Sequence, residues 1–144
     1  MKSEFEVFLD TDVYLNHLKG TKDSVLLKSL SLFGCFTSVI NASEVFSECK
    51  TDAEHEKAKH SFYGSGVLGI PYKYSVTLGK LLKENVNFRD AAVLTMLIET
   101  KLPIVSFTDK YDEYAGKFRI KILKPELIQK YKTPQIIFKK ANLI

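Results

Sequence analysis

The stretch Phe5-Glu6-Val7-Phe8-Leu9-Asp10-Thr11-Asp12 contains the pattern that decides the fold. Its first part is rich in residues that favour β-strands, and it predicts a short buried strand. The strand ends at two carboxylates, Asp10 and Asp12, and a helical apolar pattern begins directly after them. This order is typical of open α/β sheets, which bind ligands beyond the carboxyl ends of their strands. The simpler interpretation is that Asp10 or Thr11 only caps the following helix, a common role for both residue types.

Length and composition favour a single cytoplasmic domain. The 144 residues suffice for one hydrophobic core, and no apolar run reaches the ~20 residues of a membrane span. The N-terminal residues Met1 to Glu4 lack the apolar segment of a signal peptide, which predicts a cytoplasmic location and no membrane partner. Cys35 and Cys49 are isolated from each other and from other metal ligands, so free thiols are predicted rather than a disulfide or a zinc site.

The charge is unevenly distributed along the chain. The whole chain has a net charge of +4. Residues 117 to 144 have a net charge of +7, so the first 116 residues have a net charge of −3. A basic end beside an acidic body suits a polyanionic partner, with the acids performing the chemistry. A solvated basic surface without a partner is the alternative interpretation. The eight cations of this segment are Lys117, Arg119, Lys121, Lys124, Lys130, Lys132, Lys139 and Lys140.

Runs that favour strands alternate with helical patterns, which predicts a parallel sheet covered by helices on both faces. The segment from Pro125 onwards is partly apolar, and we expect it to pack back on the domain or to contact a partner. After the first strand, the predicted strands span residues 35–40, 67–70, 104–107 and 120–123. The helices that follow the first one are predicted at 24–33, from 41 onwards, and at 52–62, 76–83, 87–100 and 111–115.

Two further acids follow predicted strands. Glu44 lies three residues after Asn41, at a helix start that directly follows a strand. The alternative for Glu44 is a capping box, in which its side chain folds back onto the backbone of Asn41. Asp109 comes after the strand 104–107 and repeats the arrangement at Asp10. For Asp109 the alternative is again a helix cap.

Asp90 lies in the first turn of its predicted helix, where the helix dipole favours a negative charge. It is also in line with Leu94 on the stripe of the helix that should face the core. A carboxylate at the head of a buried stripe needs a partner or a cation. A salt bridge to Arg89 or to a lysine is the structural alternative to a functional role.

Asp10, Glu44, Asp90 and Asp109 all fall at positions that a parallel sheet brings to one edge. Four carboxylates at that edge would repel one another unless metal ions lay between them, and on this basis neutralising Asp90 should relieve repulsion. Mg²⁺ and Mn²⁺ prefer oxygen ligands and bind through few carboxylates together with substrate phosphates. Paired ions of this kind activate water for phosphodiester hydrolysis.

The motifs together resemble the PIN-domain family, which includes the VapC-type toxins of toxin–antitoxin systems. The resemblance covers about residues 5 to 125 and implies a Rossmann-like α/β/α fold, Mg²⁺- or Mn²⁺-dependent ribonuclease activity, an RNA substrate and an antitoxin partner. It also implies that Asp10, Glu44, Asp90 and Asp109 bind the metal. The stretches that carry the resemblance are Phe8-Leu9-Asp10-Thr11-Asp12-Val13-Tyr14, Ser38-Val39-Ile40-Asn41-Ala42-Ser43-Glu44-Val45, Arg89-Asp90-Ala91-Ala92 and Ser106-Phe107-Thr108-Asp109.

The chain departs from the family pattern at two places. Asp12 stands where the family usually has Asn, which adds a negative charge to the site. The family usually has one residue between a hydroxyl residue and the last acid, whereas two residues separate Ser106 from Asp109. Ser106 and Thr108 therefore both remain candidates for the hydroxyl, and Asp112 is a further candidate for the acid.

The leading hypothesis is a PIN-like nuclease domain at residues 1–125, with 126–144 as a basic and apolar C-terminal extension of the same domain. Arg89, Lys110 and the C-terminal lysines are expected to steer RNA, and a homodimer is possible. A haloacid-dehalogenase-like phosphatase is the alternative enzyme, because Asp10 and Asp12 also fit its D-x-D motif. A non-catalytic RNA- or protein-binding module is the third hypothesis. Asp12→Asn separates the two enzymes, because only the phosphatase needs that carboxylate.

Overall fold

The computed structural model describes residues 5–20 and 22–144. Residues 1–4, for which the sequence predicts no signal peptide, lie outside the described part. The strands are β1 (Glu6–Leu9), β2 (Gly34–Ser38), β3 (Ser65–Leu68), β4 (Ile104–Val105) and β5 (Ile122–Leu123). The helices are α1 (Thr11–Leu18), α2 (Val25–Leu32), α3 (Val39–Ser47), α4 (Asp52–Ser61), α5 (Ser75–Lys83), α6 (Phe88–Thr100), α7 (Lys110–Lys117), α8 (Pro125–Lys130) and α9 (Pro134–Lys140), and a 3₁₀ turn spans Tyr72–Tyr74.

The five strands form one parallel sheet in the order β3-β2-β1-β4-β5. β1 lies in the centre, where Phe8 is in register with Phe36 of β2 and with Ile104 of β4. The chain first builds the sheet outward on one side of β1 and then crosses to the other side for β4. This reversal opens a crevice beyond the carboxyl ends of β1 and β4, where α/β sheets bind their ligands.

Helices cover both faces of the sheet, because successive side chains of a strand point to opposite faces. Val7 and Leu9 of β1 pack in one core cluster, which includes residues of α1, α2, α4, α8 and α9. Phe8 packs in the other cluster, which includes residues of α5, α6 and α7. The predicted three-layer α/β/α arrangement with a central parallel sheet is confirmed.

Most predicted elements are present, and the differences are the ends of several strands and the two C-terminal helices, α8 and α9, which the sequence pattern does not predict. The sequence pattern predicts that β2 continues to Ile40, but it ends at Ser38, whose Oγ accepts hydrogen bonds from the backbone N–H of Ile40 and of Asn41. This N-cap starts α3 at Val39, so Asn41 is inside the helix and does not cap it. β3 begins two residues earlier than predicted, and at Gly66 a Cβ would come within 2.8 Å of the Phe36 ring.

The C-terminal extension packs against the domain at the end of the sheet opposite to the crevice. The ring of Phe138 in α9 lies 5.0 Å from that of Phe5 and 5.6 Å from that of Phe33. These two residues directly precede β1 and β2, so α9 covers the amino ends of the strands. Ile128 and Ile137 are fully buried in the same core cluster.

Cys35 and Cys49 are free thiols, as the sequence predicts. Burial raises the pKa of the Cys35 thiol to about 12, so this side chain behaves as a core residue and not as a nucleophile. In the part of the chain that the structure describes, no helix has the length and apolar composition to cross a membrane.

Candidate metal site at the carboxyl edge of the sheet

A cavity of about 520 Å³ lies at the crevice between β1 and β4. Five acids from three separate parts of the chain line it, and one of them, Glu48 at the end of α3, is exposed. Asp10 and Asp12 come from the end of β1 and the start of α1, Glu44 from α3, and Asp90 from the first turn of α6. Arg89, Lys110 and Thr108 also line the cavity.

Asp10 is held from several directions and is only 2% exposed. Its Oδ1 accepts hydrogen bonds from Asn41 Nδ2 at 3.1 Å and from Arg89 Nη2 at 2.9 Å. The Oδ2 atom accepts a hydrogen bond from Ser106 Oγ at 2.7 Å. Because Oδ1 also accepts from the Thr11 backbone at 2.9 Å, Asp10 caps α1 and faces the cavity at the same time.

Glu44 does not form the capping box considered from the sequence. Its carboxylate accepts hydrogen bonds from Arg89 Nε, at 3.1 Å and 3.0 Å to its two oxygens, and from Thr11 Oγ1 at 2.6 Å. Burial acts to raise the pKa of Glu44, but the hydrogen bonds from Arg89 and Thr11 outweigh it and lower the pKa below the usual value of 4.5. Glu44 is therefore ionised and points into the cavity.

Asp90 accepts hydrogen bonds from four side chains. Its Oδ1 accepts from Lys110 Nζ at 2.9 Å and from Arg89 Nη1 at 3.1 Å, and its Oδ2 from Tyr114 Oη at 2.6 Å and from Asn87 Nδ2 at 3.0 Å. Burial opposes ionisation, but the hydrogen bonds from Tyr114, Lys110 and Asn87 hold the pKa of Asp90 well below its usual value. Asp90 is thus paired with two cations, which contradicts the expectation that its charge is mainly repelled by neighbouring acids.

Asp12 is bound differently from the other acids. Its Oδ2 accepts hydrogen bonds from the Phe107 backbone N–H at 3.0 Å and from Ser106 Oγ at 3.0 Å. Its Oδ1 is buried and has no hydrogen-bond partner among the described residues. Burial and the neighbouring Asp10 charge raise the pKa of Asp12, although the bonds from Ser106 and the backbone partly offset them.

The two candidate hydroxyls have different positions. The Ser106 hydroxyl is within hydrogen-bond distance of both Asp10 and Asp12, whereas Thr108 lines the cavity. The sequence pattern places Ser106 inside the fourth strand, but β4 ends at Val105. The chain leaves the sheet at this residue, and the Ser106 Oγ reaches the acids.

Asp109 and Asp112 lie outside the acid cluster. The Asp109 side chain is 95% exposed, and its carboxylate is 3.6 Å from Lys124 Nζ. Asp112 accepts a hydrogen bond from the same Lys124 Nζ at 2.8 Å. The structure brings Asp10, Glu44 and Asp90 together with Asp12, and it places the other two acids against Lys124.

Three residues that organise the cluster could not be identified from the sequence. Asn41 is fully buried and donates to Asp10 and Thr11. Tyr111 accepts a hydrogen bond from Arg89 at 2.7 Å, and Tyr114 donates to Asp90. Burial and the bond to Asp90 raise the pKa of Tyr114 to about 12, which keeps its hydroxyl a donor at neutral pH. The only available signal was the spacing of Tyr111 and Tyr114, which places them close on one side of a helix.

The acid cluster fits a hard divalent cation by the type and charge of its donors. Five carboxylates line the cavity, Glu48 included, against the two cations Arg89 and Lys110, which leaves an excess of three negative charges. The buried Oδ1 of Asp12 also has no partner in the described part of the chain. Yet among residues 5–20 and 22–144, no three His, Cys, Asp or Glu side chains are arranged to hold a metal ion. Arg89 and Lys110 bind the oxygens that a metal would use.

Comparison with known proteins identifies the fold. No protein-family model and no curated protein matches the chain. Among solved structures, VapBC-1 from nontypeable Haemophilus influenzae matches with a TM-score of 0.64 and 14% identity over 85% of this chain and 99% of that chain. VapBC2 from Rickettsia felis, bound to a DNA fragment from its promoter, has a TM-score of 0.64 and 14% identity over 76% and 92%. VapBC-5 from Mycobacterium tuberculosis, a toxin–antitoxin system, has a TM-score of 0.58 and 16% identity over 83% and 98%.

These matches confirm the predicted PIN-like fold of VapC-type chains. At 14% to 16% identity these matches show the fold only, so any activity must be argued from the residues of the site. The function is therefore best tested by substituting residues of the acid cluster.

Asp12→Asn is expected to raise the stability of the protein at neutral pH by about 1 kcal/mol, because it removes a partly buried negative charge that lies beside Asp10. The pKa of Asp12 is raised in the folded protein, so its ionised form costs stability above that pKa and costs nothing below the usual value of 3.8. The gain in melting temperature should be present at pH 7 and absent at pH 3. An equal gain at both values would mean that the Asp12 charge is not its cause.

Proposed function

We propose that this protein is a Mg²⁺- or Mn²⁺-dependent endoribonuclease, the toxin of a toxin–antitoxin pair. One observation carries the proposal: Asp10, Glu44 and Asp90 converge with Asp12 at the crevice of a PIN-like sheet. Chains in toxin–antitoxin complexes share this fold, which supports an antitoxin partner for the present chain. Such an enzyme would act on RNA in the cytoplasm.

The metal would be held by carboxylates of Asp10, Glu44 and Asp90, with Asp12 beside them. A bound Mg²⁺ or Mn²⁺ would polarise a phosphodiester and activate water for its hydrolysis. The surrounding residues fix these ligands: Ser106 and Asn41 orient Asp10, and Tyr114 and Asn87 orient Asp90. Partners of this kind usually determine metal affinity almost as strongly as the ligands themselves.

Asp109 belongs to the proposed metal site only if its carboxylate turns toward the cavity. In the structure it is exposed and faces Lys124. We assign the principal role to the three converging acids and treat Asp109 as a residue to be tested beside them.

A second cavity, of about 840 Å³, offers a path for the RNA strand. It adjoins the acid site, because Asn87 lines both cavities and Tyr114, in the second, donates to Asp90. Lys80, Lys83 and Lys117 line it together with the ring of Phe118. Cations that contact phosphates and rings that stack on bases are the usual elements of single-strand binding.

The lysines of the C-terminal extension, residues 126–144, lie in a different region from this second cavity. α9, which ends in Lys139 and Lys140, packs through Phe138 at the amino ends of the strands, away from the acid site. Lys130 and Lys140 lie over the ring of Tyr131. The structure therefore favours the lysines of the second cavity over the tail for contact with RNA.

Replacing Lys80, Lys83 and Lys117 by alanine should weaken RNA binding and reduce the slope of log K against log salt. Removing one phosphate-binding cation lowers the slope by ~0.7, so a decrease of about 2 is expected for the triple variant. The slope is measured from the binding of a 2′-modified, uncleavable RNA at several salt concentrations. The matched control replaces Lys130, Lys132 and Lys139. A larger change of slope in this control would assign the RNA path to the tail instead.

The experiment that tests the proposed function uses the purified protein and a set of unstructured RNA oligonucleotides. We expect cleavage with Mg²⁺ or Mn²⁺, none after chelation, and recovery when metal is added back. Para-nitrophenyl phosphate tests the phosphatase alternative in parallel. Hydrolysis of this compound, abolished in Asp12→Asn, together with intact RNA would replace the nuclease assignment. RNA or protein binding without hydrolysis of either substrate would identify a non-catalytic module.

The oligomeric state is a separate question that light scattering of the purified chain would answer. A homodimer is compatible with the fold, and the exposed side chains of Tyr72 and Val76 offer apolar contact area. Activity in the crevice does not depend on that outcome, because all of the converging acids come from one chain.

A further inference from the structure

Arg89 occupies the centre of the acid cluster. Its Nη2 is 2.9 Å from Asp10 Oδ1 and 3.0 Å from Glu44 Oε1, and its Nη1 is 3.1 Å from Asp90 Oδ1. One guanidinium therefore joins three carboxylates that come from β1, α3 and α6. Its side chain is 24% exposed, so it also borders the open part of the cavity.

The position of Arg89 in its helix does not explain this arrangement. Arg89 is the second residue of α6, where the positive end of the helix dipole disfavours a cation by ~0.3–1 kcal/mol. The carboxylates overcome this cost because the planar guanidinium matches them with several parallel hydrogen bonds. The acids, and not the helix, hold Arg89 in place.

The guanidinium and a divalent cation would compete for the same carboxylate oxygens. Arg89 uses Oδ1 of Asp10, both oxygens of Glu44 and Oδ1 of Asp90. A metal bound by these acids would lie in direct competition with the guanidinium, and two close positive charges repel each other. A metal bound through these oxygens would therefore favour displacement of Arg89.

We propose that Arg89 is the resident counter-ion of the acid cluster, and that a divalent cation must displace its guanidinium to occupy the site. The inference rests on the proposed metal-binding function. It makes the metal-free protein a closed state in which Arg89 offsets part of the negative charge of the acids from within the chain. It also predicts that the affinity for metal is lower than the four carboxylates alone would provide.

The test measures binding of Mn²⁺ to metal-free protein by titration calorimetry. Arg89→Gln removes the charge and keeps a polar, though shorter, side chain. We expect it to bind Mn²⁺ about tenfold more tightly than the wild type, or better, which corresponds to 1.4 kcal/mol. The matched control is Arg119→Gln, which changes the only other arginine of the chain at an exposed position and should leave the affinity unchanged.

The outcomes separate this inference from the proposed function. Equal or weaker Mn²⁺ binding by Arg89→Gln, with clear binding by the wild type, would overturn the displacement and leave the metal site intact. Absence of Mn²⁺ binding in the wild type and in both variants would overturn the displacement and the metal-dependent function together. Tighter binding by both variants would show a general charge effect and would also overturn the inference.

A second measurement uses the wild-type protein and does not depend on the folding of a variant. The chain has two arginines, so the Nε–H signal of Arg89 can be assigned in a ¹⁵N NMR spectrum. In the metal-free protein this N–H is bound to Glu44 and should exchange slowly with water. Saturating Mg²⁺ should make it exchange rapidly. Slow exchange that persists at saturation would show that Arg89 stays in place and would overturn the displacement.

Discussion

Asp90→Asn is expected to reduce RNA cleavage by about a hundredfold or more, because even residues that only support metal ligands are worth about 10–100-fold. The carboxylate lies between Lys110 and Arg89 on one side and Tyr114 and Asn87 on the other. An amide keeps the shape but lacks the charge that a divalent cation needs. Single-turnover cleavage at saturating protein measures the reduction. The matched control is Asp112→Asn, because Asp112 faces Lys124 and should be replaceable without effect.

The same substitution should destabilise the protein by about 3 kcal/mol, because it leaves two cations beside a buried site without their anion. The pKa of Asp90 is depressed in the folded protein, so its contribution to stability is fully present above the usual value of 3.8. It is lost as the pH falls through the depressed pKa. Denaturant unfolding should therefore show the largest difference at neutral pH. A variant that is more stable than the wild type at pH 7 would show that repulsion dominates after all.

Phe138→Ala is expected to lower the free energy of unfolding by about 3–5 kcal/mol, the usual cost of removing a buried aromatic ring. Phe138 is 7% exposed and joins α9 to Phe5 and Phe33 at the amino ends of β1 and β2. A decrease of this size would show that residues 126–144 are part of the folding unit of the domain. Chemical denaturation followed by circular dichroism measures it.

The matched control for Phe138→Ala is Ile136→Ala in the same helix. Ile136 is 44% exposed, so its truncation should change the stability by less than about 1 kcal/mol. Similar small decreases in both variants would contradict the packing of the extension. RNA cleavage by the folded fraction of Phe138→Ala should remain normal, since α9 lies at the end of the sheet opposite to the acids.

Local pattern is sufficient to predict the order of strands and helices, because each element carries its own period of apolar residues. The boundaries depend on side-chain contacts that no pattern contains. Ser38 ends β2 because its hydroxyl caps α3, and β4 stops at Val105 because the Ser106 hydroxyl binds Asp10. Propensity alone favours a longer strand in both places.

The convergence of Asp10, Glu44 and Asp90 could be predicted because parallel strands share one carboxyl edge. The direction in which each side chain points could not be predicted from the sequence. Asp109 follows a strand just as Asp10 does, yet its carboxylate faces Lys124, which comes from a loop beyond β5. A salt bridge between Arg89 and Asp90 could be anticipated, but the contacts of Arg89 with Glu44 and Asp10 could not, because these partners lie 45 and 79 residues away in the sequence.

The central position of β1 also determines when the site can form during synthesis of the chain. Asp10 is made early, but its contact with Ser106 spans 96 residues, and β1 pairs with β4 only after residue 105 has been added. Contacts of such separation form late, since the intervening chain must first lose its freedom. A nascent chain that stops before β4 already contains Asp10, Asp12, Glu44 and Asp90, but it has no crevice to assemble them. If the proposed function holds, the growing polypeptide would be unable to cleave RNA until β4 has been made and has paired with β1.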